Sequence, residues 1–108
     1  MNKITWAFLI LAIILEVSGT IAMKLSEGFT RLTPLIAMFV FYMLGLSVLA
    51  LVLKRIDVGV AYAVWSGLGT ALIAAIGVLW FKEPLSTIKI ISICLIIIGV
   101  VGLNVENH

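Results

Sequence analysis

The chain has 108 residues, 64% of them hydrophobic and 11% charged, and its mean hydropathy is +1.33. A soluble domain of this size could not hide that much apolar surface, since ordinary soluble chains are about half apolar and a quarter charged. The length suits one domain, residues 1–108, and a net charge of +2 without a basic cluster leaves no electrostatic footprint for nucleic acid.

A helix needs about 20 mainly apolar residues to span a bilayer. The first such stretch runs from Ile4 to Met23. It is too long for the apolar region of a signal peptide, it contains a carboxylate, and further spans follow it, so it is expected to stay as a membrane helix. Lys24-Leu25-Ser26-Glu27-Gly28-Phe29-Thr30-Arg31 is polar and reads as a loop. The second span runs from Pro34 to Leu53, with Thr33 as the expected cap and proline in the first helical turn, where its missing N–H does no harm. Lys54-Arg55-Ile56-Asp57 closes it. The third span runs from Val58 to Phe81 and stops at Lys82-Glu83-Pro84, because proline disfavours helix at the residue before it. The fourth runs from Thr87 to Val105. Three short loops make sequential helices antiparallel neighbours, so the predicted fold is an all-α bundle of four transmembrane helices.

Four spans put both termini on one side, together with Lys3, Lys54 and Arg55; Lys24, Arg31, Lys82 and Lys89 lie on the other. This is almost no bias, whereas an excess of Lys and Arg on the cytoplasmic side normally fixes orientation. Two readings stand: a weak bias that still yields one topology, or insertion both ways round.

Glu16 lies about 12 residues into the first span, roughly 18 Å along a helix and near the bilayer centre. A charge there costs roughly 2.5–3.5 kcal/mol on insertion scales. The spans offer no obvious cationic partner, and Lys24, eight residues on, can snorkel to the interface. Glu16 is therefore either protonated, bonding a neighbouring helix, or paired with something that comes and goes. Its helical neighbours Ala12, Gly19 and Thr20 are small. They admit a ligand closely, and equally a packed helix.

In the third span Tyr62, Trp65, Ser66 and Gly69 share one face. Aromatic faces attract desolvated cations, and Tyr62 and Ser66 can donate hydrogen bonds to a carboxylate. Ordinary mid-bundle packing is the alternative for this face. Tyr42, midway along the second span, adds a hydroxyl, while Trp6 and Trp80 near span ends read as interfacial anchors. Gly67 and Gly69 mark either a bend or close packing. Ser92 and Gly99, seven apart in the fourth span, form a candidate helix–helix seam.

The single cysteine, Cys94, excludes an internal disulfide and sits in an apolar run. No metal-ligand cluster, cofactor motif or nucleophile–base pair is present, and the only histidine is His108, so an enzyme is not expected. One membrane carboxylate in four helices leaves little room for a gated pathway, which calls for an oligomer. With insertion both ways, two opposed protomers would supply the inverted repeat that many transporters encode in one chain.

Together these features resemble the small multidrug resistance family of proton-coupled exporters. The resemblance covers nearly the whole chain. It is carried by Leu15-Glu16-Val17-Ser18-Gly19-Thr20, by Lys24 to Leu32, by Gly59-Val60-Ala61-Tyr62-Ala63-Val64-Trp65-Ser66-Gly67-Leu68-Gly69, and by Phe81-Lys82-Glu83-Pro84-Leu85. It implies an antiparallel, dual-topology homodimer in the bacterial cytoplasmic membrane, in which protons and substrate compete for Glu16. It further implies that Tyr62, Trp65 and Tyr42 line the site, that Trp6 stands where an aromatic (commonly tyrosine) is kept, and that Gly67 and Gly69 bend the third helix. In the fourth-helix contact Ser92 replaces the first of two glycines and Gly99 matches the second. The guanidinium-exporting branch typically has tryptophan at the position of Gly19, serine at Gly45 and lysine at Asn104, none of which is present here.

The sequence reading is therefore a proton/cation antiporter for lipophilic and quaternary-ammonium ions. Its substrate lining comprises Trp65, Tyr62, Tyr42, Ser66, Trp6, Ala12, Gly19 and Thr20 around Glu16, with no cofactor and no metal. The alternatives are guanidinium or polyamine export within the same family, and a non-transporting assembly subunit in which Glu16 is a structural hydrogen-bonding group.

Overall fold

A computed structural model describes residues 3–106, apart from the side chains of Asn104 and Glu106; the sequence readings on Asn104 and His108 fall outside the described residues. Four helices follow in order: α1 Lys3–Leu25, α2 Leu32–Val52, α3 Val58–Leu79 and α4 Thr87–Glu106. The first three are long and apolar enough to cross a membrane, and α4 carries an apolar stretch over Thr87–Leu103. All four expected segments are helical, with ends displaced by at most two residues, as expected where helix ends fray.

Two boundaries differ for local reasons. Arg31, not Thr33, occupies the N-cap of α2, and makes no side-chain cap bond there. Proline fits anywhere in the first turn, where N–H groups lack intrahelical partners, so the helix starts two residues before Pro34. At its far end α3 stops at Leu79, ahead of Phe81, because the chain turns back: Lys82 has a left-handed φ of 56°, and the Glu83 N–H donates to Gly77 O at 3.0 Å.

The α1–α2 loop is organised around Ser26, which is fully buried. Its hydroxyl donates to Met23 O at 2.7 Å and accepts from the Phe29 N–H at 3.1 Å. Ser26 O accepts from the N–H groups of Thr30 and Arg31, both at 2.9 Å. These bonds hold Glu27, Gly28 and Phe29 in left-handed conformations, which only glycine adopts without strain.

Helix α1 is the centre of the bundle and packs against both α2 and α3; α4 packs on α3. Buried α2 residues Met38, Gly45, Leu49 and Val52 form one stripe at helical spacing. Leu49 and Val52 of this stripe join Leu9, Ile13 and Val17 of α1, and Ala61 and Val64 of α3 complete the core. Gly45 permits the close approach: a Cβ there would lie 3.3 Å from Ala12 O and 3.4 Å from Glu16 N. Membrane helices gain little from apolar burial alone, and small residues supply the van der Waals contact instead. The outer faces stay apolar: Phe39, Met43, Ile88 and Ile98 are all at least 60% exposed. In water that surface would drive aggregation; against lipid tails it is matched.

Candidate functional site

Glu16 sits midway along α1, half-buried where α1, α2 and α3 meet. Its carboxylate is held from two sides. The Thr20 hydroxyl, one turn on, donates to Glu16 Oε1 at 3.0 Å. The same hydroxyl lies 2.7 Å from the Tyr42 hydroxyl of α2. With its hydrogen committed to Glu16, Thr20 accepts from Tyr42, so the donors run Tyr42 to Thr20 to Glu16. On the α3 side the other oxygen, Oε2, lies 3.3 Å from where a Cβ on Gly69 would stand. Glycine leaves the carboxylate room against that helix.

Gly19 fixes the Tyr42 ring in the same way. An added Cβ would stand 2.5 Å from Tyr42 Cδ1 and 2.6 Å from Cε1. The ring therefore rests on the bare backbone of α1, which places its hydroxyl over Thr20.

Two cavities open on Glu16. The larger, about 400 Å³, is lined by Glu16, Thr20, Trp65, Ser66, Thr70 and Glu83 among others. The second, about 190 Å³, lies between Glu16, Tyr42, Leu46 and Trp65. Trp65, like Glu16, lines both. Among the described residues, no lysine or arginine lines either one. Cavities of about 300–1,000 Å³ hold drug-sized ligands, usually with apolar walls and a few polar groups. A carboxylate beside an indole face suits a poorly hydrated organic cation: charge holds it, the ring adds cation–π attraction, and little hydration is lost on binding.

The structure thus brings Glu16, Thr20, Tyr42, Trp65 and Ser66 together. Ser66 lines the larger cavity, but its hydroxyl donates to Tyr62 O at 2.8 Å rather than to the carboxylate. The Tyr62 ring lies 5.6 Å from that of Trp65, tilted by 54°, and the residue is 59% exposed. Ala12 is fully buried against α2, and Gly19 lies under the Tyr42 ring, so both shape the site through packing. Trp6 is half-buried against the apolar core and lines neither cavity that contains Glu16. Gly67 faces α4, where a Cβ would meet Val100 Cγ2 at 3.0 Å and Ile96 Cγ2 at 3.3 Å. Ser92 and Gly99 are exposed on α4, and nothing lies within 4 Å of a Cβ placed at Gly99.

Sequence reasoning missed several contributors, Ile73 and Ala74 of the larger cavity among them. Thr70 and Leu46 look like any membrane-helix residue, and only the fold brings them to the cavities. Glu83 was read as part of a helix stop, yet it lines the larger cavity with Glu16.

A family model described as Small Multidrug Resistance protein matches residues 4–96. An uncharacterized membrane protein of Bacillus subtilis, YvaE, is 56% identical over 103 residues, covering 95% of this chain and 87% of that protein. The quaternary ammonium compound-resistance protein QacE of Escherichia coli is 48% identical over 99 residues, covering 92% and 90%. A guanidinium exporter of Escherichia coli is 35% identical over 104 residues, covering 96% and 99%.

Proposed function

The chain belongs to the small multidrug resistance family, and from that premise we propose that it is a proton-coupled antiporter for lipophilic and quaternary-ammonium cations. The observation that carries the reading is Glu16: a mid-span carboxylate that shares both of its cavities with Trp65 and, among the described residues, with no lysine or arginine. A cation that enters displaces the proton from Glu16; a proton that returns displaces the cation. Competition for one group couples the two fluxes, and no separate proton path is required.

The working unit in this reading is an antiparallel homodimer in the bacterial cytoplasmic membrane. The near balance of lysine and arginine between the two sides supports insertion both ways. The exposed seam of Ser92 and Gly99 on α4 provides a contact for the partner, and Gly67 and Gly69 are the positions at which α3 would bend as the dimer rocks. Tyr62, exposed beside Trp65, would then face the shared site from the rim.

Quaternary-ammonium rather than guanidinium specificity is favoured by Gly19. Any side chain there would displace Tyr42, so the Tyr42–Thr20–Glu16 chain depends on glycine. The test is tetraphenylphosphonium binding to purified protein as pH is varied. Wild type should bind more weakly as pH falls, and Glu16→Gln should not bind. Binding that survives Glu16→Gln would place the cation elsewhere and favour a structural role for the carboxylate.

A further inference from the structure

Glu83 is oddly placed for a loop residue. Beyond α3 the left-handed Lys82 reverses the chain, and the Glu83 N–H bonds Gly77 O at 3.0 Å. The carboxylate is thereby laid on the bare face of Gly77, which is buried; a Cβ on Gly77 would collide with Glu83 Oε1 and stand 3.0 Å from its Cδ. This is electrostatically the wrong end of the helix. Carbonyl groups at a helix C-terminus carry partial negative charge, which repels a carboxylate and attracts a cation. Helix α1 ends at the same place: Lys24, in its last turn, shares a cavity of about 130 Å³ with Glu83, Thr20, Gly77 and Phe81. Two helix C-termini and a carboxylate therefore converge on one cavity. The lysine beside them stands over the Phe81 ring, with Nζ 5.7 Å from its centroid. Lys89, six residues beyond Glu83, donates to Pro84 O at 2.7 Å.

This small cavity adjoins the larger one through shared walls. Thr20, Ile73 and Glu83 line both. Gly69 marks the position of Glu16 on α3 and Gly77 that of Glu83, eight residues or roughly 12 Å further along the helix. One groove between α1 and α3 thus has a carboxylate in the middle of the membrane and a second at its mouth.

We propose that Glu83, with the C-terminal ends of α1 and α3, forms a peripheral binding site for monovalent organic cations, occupied on the way to and from Glu16. The inference rests on cation binding at Glu16 and adds a second station to it. A charge at a rim acts on the rate of association and on its salt dependence more than on final affinity.

The experiment is stopped-flow binding of tetraphenylphosphonium to full-length wild type and Glu83→Gln. It is run at an ionic strength of about 10 mM, where charges are felt over roughly 30 Å, and again at about 1 M, where they reach roughly 3 Å. At low salt Glu83→Gln should associate about 3- to 10-fold more slowly with dissociation nearly unchanged, and the two proteins should converge at high salt. Proton competition at equilibrium should be the same in both. Equal association rates at low salt would overturn the proposal. So would slowing that persists at high salt together with altered dissociation, because that marks a structural role at the end of α3. Glu83→Asp, which keeps the charge and shortens its reach, should fall between the two. Absence of pH-dependent binding in wild type is a separate result: it overturns the reading of Glu16, and the second station with it.

Discussion

Replacing Gly19 with alanine adds one methyl group at the most crowded contact of the site. The new Cβ would stand 2.5 Å from Tyr42 Cδ1, whereas carbon atoms in contact sit at about 3.5–4.0 Å. The ring has to retreat by about 1 Å or the helices must part. Parting is resisted by Gly45, where α2 already approaches the α1 backbone. Retreat lengthens the 2.7 Å Tyr42–Thr20 bond beyond hydrogen-bonding range. Overpacking costs about 1–3 kcal/mol and the lost bond about 0.5–1.5 kcal/mol, offset by about 0.5–1 kcal/mol of backbone entropy gained on replacing glycine. The net expectation is a loss of roughly 2 kcal/mol, compared with a small gain for Gly59→Ala, where nothing lies within 4 Å. Equilibrium unfolding in mixed micelles measures both. In a Tyr42→Leu background the Gly19→Ala penalty should largely disappear, since the two residues are in contact. If Gly19→Ala is as stable as Gly59→Ala, or its penalty is the same with and without Tyr42, the Tyr42 ring does not rest on Gly19 and the argument about specificity fails.

Three other expectations follow from the same geometry. Thr20→Val keeps the shape but removes the bridging hydroxyl, so by titration calorimetry it should weaken cation binding more than Tyr42→Phe, which leaves the Thr20–Glu16 bond in place; an equal effect would mean the hydroxyl chain is idle. Gly69→Val should fill the space beside Glu16 Oε2 and exclude bulky cations such as tetraphenylphosphonium while sparing tetramethylammonium; uniform loss of both would point to a folding defect instead. With the exposed Cys94 first replaced by serine, a single cysteine at Gly28 in the α1–α2 turn should be labelled by impermeant maleimide from both sides of the membrane; labelling from one side alone would contradict dual topology.

The spans were legible because hydropathy alone decides them: most residues in these stretches tolerate lipid and few outside do. Glu16 stood out for the same reason, as a charge where none is tolerated without a role. Depth and cover were harder. Helical spacing puts Tyr62 on the side of α3 that carries Trp65 and Gly69, but it does not say where a neighbouring helix covers that side; Trp65 is sheltered and Tyr62 is not. The role of Gly19 and Gly45 as contact points depends on which residue stands opposite, and sequence spacing within one helix does not contain that. Thr33 looked like a cap because its type suits one, yet a proline two residues into a helix is no obstacle and the backbone continued to Arg31. Glu83 was hidden by its own neighbours: Lys82 and Pro84 read as the end of a helix, and only the left-handed turn returns the carboxylate to the groove.

The central claim is that one carboxylate serves proton and cation in turn, and the most direct test is transport. Proteoliposomes with an acidic interior and a neutral exterior should accumulate tetraphenylphosphonium against its gradient. Accumulation should collapse when the pH difference is dissipated and should be absent with Glu16→Gln. Uptake that ignores the pH difference, or that persists without the Glu16 carboxylate, would contradict the account.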